Sequence, residues 1–233
     1  CEFNDNYLLG TNKGVLLYNP KTGATTQKYF TGKNIHLVFV LTNTIYVGVE
    51  SEGLYSINLR SGQIEHINSP LGTDHFYTAQ YNIGTKEIIF GTNSMIMRLE
   101  PSSKKLRPLP LDYKQLGGYS GVSTTDSHGN VWFTLNNAII GVTVQGKIVK
   151  IQGSKYLNTN LFYTLNSDKK GNLIIGTNKG IIILKVNNLG AVMKTDFYTG
   201  ADGFLGYETN MRSQFQKGNL IYVGTVEGLF QIN

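Results

Sequence analysis

The chain has 233 residues, room for one large all-β domain, and only 15% of them are charged, against about 25% in an ordinary soluble domain. Its 27 glycines, 14 tyrosines and 11 phenylalanines, set against 5 prolines, suit many short strands joined by tight turns and exclude a helical bundle. The single cysteine excludes an intrachain disulfide and a cysteine-built metal site, and no apolar run approaches the roughly 20 residues of a membrane-spanning helix.

The formal charge of +6 invites a nucleic-acid reading, but basic residues cluster only at Lys104-Lys105-Leu106-Arg107 and Lys169-Lys170. Both fall at turns or outer strands, so they read as solvated surface, and no nucleic-acid partner or membrane contact is expected. Cys1 at the first position fits the lipid-bearing cysteine of a processed lipoprotein. The alternative, a chain that simply starts there, is favoured because the residues after it run straight into a strand.

In chain order, one segment recurs six times: LLGTNKG at 8–14, IYVGVESEG at 45–53, IIFGTNSM at 88–95, VWFTLNNA at 131–138, LIIGTNKG at 173–180 and IYVGTVEG at 221–228. Its anchor positions are 10, 48, 91, 134 (threonine here), 176 and 224, spaced by 38 to 48 residues. Such spacing is that of propeller blades, each a sheet of four short antiparallel strands. Within each unit a first strand, such as 35–41 or 161–166, leads to an Asp-x-x-Gly turn, at Asp126 to Gly129 or Asp168 to Gly171. Aspartate caps that turn and glycine takes the positive φ. The second strand is apolar on both faces and so is buried between neighbouring sheets. An Asn-Lys-Gly reversal follows, credited to the tolerance of asparagine and glycine for left-handed backbone. A third strand, a polar turn such as Arg60-Ser61-Gly62 and an outer strand such as 63–67 complete the unit.

The pattern predicts an all-β fold, a β-propeller with six four-stranded blade repeats in one domain, 1–233. The blades lie near 1–31, 32–68, 69–109, 110–152, 153–199 and 200–233. The sixth repeat stops after its third strand, which leaves an unpaired edge at 228–232 and predicts a longer native chain with a seven-bladed ring.

The run Asp-Lys-Lys-Gly-Asn-Leu-Ile-Ile-Gly-Thr-Asn-Lys-Gly-Ile at 168–181, with Asn-Pro-Lys-Thr-Gly at 19–23, resembles the two-component regulator propeller repeat. The stretch 202–210, then 218–230, is similar to the blade that precedes the immunoglobulin-like connector of that family. The resemblance covers essentially the whole chain. It implies a periplasmic or extracellular sensor ectodomain of a hybrid histidine kinase of the Bacteroidetes type, with signalling output carried elsewhere. Repeat four departs from the pattern with Thr134 and Ala138, repeat three with Met95, and repeat two with one extra residue in Glu50-Ser51-Glu52.

Catalytic signatures are absent: no His-Glu-x-x-His, no phosphate loop, no dinucleotide fingerprint. Gly118-Tyr119-Ser120-Gly121 lacks the spacing of a nucleophile elbow and reads as a turn. Of the four histidines, His66 and His128 fall on an outer strand and in a turn. His36 and His75 lie near the starts of first strands, but two histidines without a paired carboxylate do not make a site. No catalytic residue, metal ligand or cofactor is therefore expected.

Aligned on the anchors, Asn34, His36, Tyr77, Tyr119, Phe162, Tyr163, Asn210 and Arg212 share one rim of the axial funnel, with incoming loops at 68–75, 108–118 and 199–209. Flat rings stack on sugar faces, while amide and guanidinium groups meet hydroxyls and carboxylates. The competing reading is that these aromatics fill the funnel. The expectation is a binding module for an oligosaccharide, with positive charge favouring an acidic one. The alternatives are a lyase or hydrolase using the same funnel, which needs a histidine beside a carboxylate, and a structural module that dimerises the receptor.

Overall fold

The computed structural model describes residues 2–3, 5–70, 72, 74–218 and 220–232, and Cys1 lies outside them. Six antiparallel sheets follow one another along the chain, each with its strands paired in sequence order. Sheet one comprises Glu2–Phe3, Asn6–Thr11, Gly14–Tyr18 and Thr25–Tyr29, and sheet two Ile35–Leu41, Thr44–Val49, Gly53–Asn58 and Ile64–Ile67. Sheet three runs through Phe76–Asn82, Glu87–Thr92, Ile96–Glu100 and Lys105–Pro108, and sheet four through Ser123–Thr125, Val131–Leu135, Ala138–Val142 and Ile148–Ile151. Sheet five takes Phe162–Ser167, Leu173–Thr177, Gly180–Val186 and Val192–Tyr198, and sheet six the three strands Thr209–Lys217, Leu220–Thr225 and Gly228–Ile232. A four-residue helix, Tyr113–Leu116, lies in the connection from sheet three to sheet four, where no helix was expected.

The sheets pack face to face in series. Leu8 and Val15 meet Val47 and Ile57, Tyr46 and Leu54 meet Phe76 and Phe90, and Ile89 and Ile96 meet Phe133 and Ile140. Trp132 and Ile139 then meet Phe162 and Ile175, and Ile174 and Ile181 meet Ile221 and Val223. The second strands are sandwiched on both sides, which is why every residue of Glu87–Thr92, Val131–Leu135 and Leu173–Thr177 is buried. Each fully buried large apolar side chain in these layers contributes about 1.5–3 kcal/mol of transfer free energy. Among the described residues no buried cluster joins sheet six to sheet one, and Met211, Phe215 and Leu229 of sheet six are exposed.

The repeated anchor glycine marks where the next sheet's incoming chain crosses. A Cβ on Gly10 would lie 2.8 Å from Ile35 Cγ2, and one on Gly48 would lie 2.9 Å from both Cβ and the carbonyl oxygen of Phe76. Glycine is required by that approach.

The reversal after the second strand meets the sequence expectation in its glycine, with φ of 116° at Gly14, 106° at Gly180 and 138° at Gly228, but not in its asparagine. No asparagine of the Gly-Thr-Asn motif has a positive φ. The preceding threonine clamps the turn instead: Thr11, Thr177 and Thr225 donate to the carbonyls of Gly14, Gly180 and Gly228 at 2.8, 2.9 and 3.1 Å. The same hydroxyls accept the N–H two residues on, from Lys13, Lys179 and Glu227. The Asp-x-x-Gly turns match expectation. Asp126 accepts N–H bonds from His128 and Asn130, Asp168 from Lys170 and Asn172, and Gly129 and Gly171 have φ of 82° and 84°. Asp126 also accepts the indole N–H of the buried Trp132 at 2.8 Å, which ties this turn to the core.

Candidate functional site

The first strands of sheets two, three, five and six carry an irregularity near their start, and the extra residues there include rim residues. Ile35 pairs with Val49 and Leu37 with Gly48, so His36 is bulged out; in the same way Tyr77 is skipped in sheet three and Tyr163 in sheet five. In sheet six residues 210–213 lie opposite the single Gly224, and Arg212 within them has φ of 58°. Bulges re-aim side chains and are enriched beside sites, and a non-glycine residue held in the left-handed region is strained.

Tyr77 is the centre of the rim. Its ring lies 5.4 Å from that of His36, 6.2 Å from His75 and 5.5 Å from Tyr119, and the Arg212 guanidinium sits 5.4 Å from its centroid. Burial pushes the Tyr77 phenol up, with the nearby Tyr119 adding to the effect. Arg212 Nε donates to Gly121 O at 3.2 Å, which fixes the guanidinium plane from the chain entering sheet four while the residue itself belongs to sheet six. Tyr119 reaches Met211 Sδ at 3.7 Å.

Tyr77 and Arg212 open onto an axial cavity of about 220 Å³, lined further by Thr78, Ser123, Thr164 and Gln214. Gln214 keeps both amide atoms buried and without a hydrogen-bond partner among the described residues. Thr78 and Gln80 bond the Ser123 hydroxyl from the neighbouring sheet. Sequence reasoning missed these polar residues, although the Tyr-Thr, Val-Ser and Tyr-Thr pairs at the starts of three first strands carry the signal.

Beside Tyr77, His36 and His75 stack with centroids 5.5 Å apart and planes within 19°. Glu50 brings a carboxylate to them, with Oε1 3.4 Å from His36 Nε2 and Oε2 accepting from Asn34 Nδ2 at 2.9 Å. The Asn34 bond first, and then the imidazoles, hold the Glu50 carboxyl below the ordinary carboxylate value against an opposing effect of burial. The expectation that these histidines lack a carboxylate is thus corrected. Glu50 stands where other repeats carry Asn12, Asn93 and Asn178, in the turn that has one extra residue, and that substitution was the available signal. Asp74 is buried next to His75, accepts from Ser94 Oγ at 3.0 Å, and has its carboxyl pushed up by burial.

The remaining rim residues divide. Phe162 is buried in the layer between sheets four and five; with Tyr119, Tyr163 and Met211 it walls a small side cavity of about 80 Å³. A hydrogen bond to Glu208 pushes the Tyr163 phenol up. Asn210 spends its amide on Thr225 O at 3.0 Å and so supports the bulge. His66 lies against Tyr55 with Nε2 3.0 Å from Glu52 O, away from the axis.

No protein-family model matches the chain, and no curated protein matches it. Among solved structures it is similar to the extracellular domain of the putative hybrid two-component system BT4673 from B. thetaiotaomicron. The TM-score is 0.77 at 20% identity, over 99% of this chain and 31% of that one. A second such ectodomain from the same organism, BT3049, gives 0.68 at 16% identity over 95% of this chain and 31% of the other. A streptogramin B lyase gives 0.69 at 15% identity over 97% of this chain and 78% of the lyase. The chain spans about a third of the length of the two ectodomains. Six consecutive antiparallel sheets packed in series, superposing over nearly the whole of this chain on part of each of these ectodomains, give the chain the propeller-like all-β fold seen in those extracellular domains.

Proposed function

We propose that the chain is the extracytoplasmic ligand-binding module of a two-component signalling receptor, and that it takes the end of an oligosaccharide, preferably a uronic acid, into its axial cavity. The observation that carries this reading is the pairing of Tyr77 with Arg212 at the mouth of a cavity walled by Thr78, Ser123, Thr164 and Gln214. A sugar ring stacks on tyrosine, hydroxyls meet the threonine, serine and glutamine groups, and a carboxylate meets the guanidinium. The cavity is smaller than the roughly 300 Å³ at which drug-sized sites begin. One sugar unit enters, and the rest of the chain lies across Tyr119. The fold shared with extracellular domains of putative hybrid two-component systems supports the sensing role and the location outside the cytoplasm. Among the described residues no helix is long and apolar enough to cross a membrane.

The same proposal takes the six sheets as blades of a seven-bladed ring, because the exposed apolar face of sheet six (Phe215, Leu229) and that of sheet one (Tyr7, Leu9) suit a further blade between them. Calorimetric titration with neutral and uronic-acid oligosaccharides tests the ligand. Tyr119→Ala and Arg212→Ala are expected to weaken uronic-acid binding at least tenfold, and unchanged affinity in both removes these residues from the site.

A second reading, a lyase or hydrolase in the same funnel, is favoured by one observation: His36 has Glu50 beside it. Release of shortened or unsaturated sugars by the wild-type chain, lost in His36→Ala, would select it over binding alone.

A further inference from the structure

We propose that His36, His75 and Glu50 form a binding site for one divalent transition-metal ion of the zinc class, with Asn34 orienting the carboxylate. The site stands independently of which molecule enters the axial cavity. One donor atom from each of the three side chains lies within 4.8 Å of the others. The His36 Nε2 to Glu50 Oε1 separation, 3.4 Å, is long for a charged hydrogen bond. It equals the ligand-to-ligand edge of a tetrahedron with metal bonds of about 2.0–2.1 Å, which is roughly 3.4 Å. Metal binding then requires side-chain rotations that close the remaining donor separations, each within 4.8 Å, to the same spacing.

A second observation points the same way. His36 Nε2 is shielded from solvent yet has no hydrogen-bond partner, although it faces a carboxylate. Such an atom is costly to bury unless something is bound to it. The carboxylate is prepared for a ligand role too: Asn34 holds Oε2 at 2.9 Å and leaves Oε1 directed at His36. Outer partners of this kind orient metal-binding carboxylates.

The backbone elements fix all three. His36 is the bulged residue of its strand, Glu50 sits in the turn directly after Thr44–Val49, and the backbone N–H of His75 is held by Asn93 Oδ1 at 3.0 Å. A metal here ties sheet two to sheet three. Two imidazoles and one carboxylate select zinc, nickel, cobalt or copper over magnesium and calcium, which prefer all-oxygen sets. Three protein ligands leave a fourth position for water or for an oxygen of a bound molecule.

The test uses the chain stripped with a chelator and titrated with Zn²⁺ and, separately, Mg²⁺. Expected are one Zn²⁺ per chain, a rise in melting temperature with Zn²⁺, no comparable response to Mg²⁺, and a tetrahedral-type visible spectrum with Co²⁺. His75→Ala and Glu50→Gln should each weaken Zn²⁺ at least tenfold and abolish the melting shift, while His66→Ala leaves both unchanged. The proposal is overturned by absence of one-to-one Zn²⁺ binding, by unchanged affinity in both His75→Ala and Glu50→Gln, or by equal affinity for Mg²⁺. Circular dichroism of each metal-free variant verifies that it is folded.

Discussion

Replacing Gly48 by alanine places one methyl group at the seam between sheets two and three. The new Cβ would stand 2.9 Å from Phe76 Cβ, 2.9 Å from the Phe76 carbonyl oxygen and 3.0 Å from Leu37 Cβ. These atoms are backbone or are attached directly to it, so no flexible side-chain tip can swing aside. The strands themselves must separate by several tenths of an ångström, away from the close packing of Tyr46, Leu54 and Phe90. Overpacking of this kind costs about 1–3 kcal/mol. At roughly 2–4 °C per kcal/mol for a chain of this size, the melting temperature should fall by roughly 2–12 °C. Phe76 is flanked by His75 and Tyr77, so the same displacement should weaken Zn²⁺ binding at the histidine pair. Scanning calorimetry of Gly48→Ala beside the wild type reads the first effect. A melting temperature within 1 °C of wild type would refute the close-approach account of the repeated glycine.

Trp132→Phe removes the indole donor to the buried Asp126 and leaves a void in the layer shared by sheets four and five; it should cost about 1–4 kcal/mol in urea unfolding. Burial pushes the Tyr113 phenol up to about 12 from its usual value near 10, against a smaller effect of its hydrogen bond to Ile96. The unfolded chain therefore loses this proton first, and the stability the group contributes is complete below pH 10 and lost as the pH rises towards 12. Tyr113→Phe should show a shallower fall over that window than wild type, and parallel curves would contradict the assignment. Phe215→Ser and Leu229→Ser, at positions 64% and 73% exposed, should change the stability of this chain by less than about 0.5 kcal/mol.

The repeat made the sheets legible because the anchor glycine answers a steric demand that recurs along the chain, at Gly10 against Ile35, Gly48 against Phe76, Gly91 against Ser120 and Gly176 against Thr209. The Asp-x-x-Gly turns were legible for the same reason, since side-chain capping is a local event. The Gly-Thr-Asn turn was located correctly and its closing glycine read correctly, but the asparagine was credited with a role that belongs to the threonine, whose clamp is invisible to backbone-propensity arguments. The helix Tyr113–Leu116 is one turn long, too short to leave a periodic signal; Asp112 caps it and Leu116 alone is buried.

At the rim, register arithmetic brought His36, Tyr77, Tyr119 and Arg212 into one neighbourhood, and their rings and guanidinium do meet. Phe162 is buried in the layer between sheets four and five and Asn210 is spent on the Thr225 carbonyl, so neither lines the axial cavity. Glu50 was passed over because an extra residue in a turn reads as irregularity until its side chain is seen beside two imidazoles.

The central claim is that the molecule this chain recognises sits on the axis, against Tyr77 and Arg212. Backbone amide NMR of the chain titrated with a uronic-acid oligosaccharide tests it most directly. The largest shifts are expected at Tyr77, Thr78, Ser123, Thr164, Arg212 and Gln214. Shifts confined to outer strands such as Ile64–Ile67 and Ile148–Ile151, with the axial residues unmoved, would contradict it.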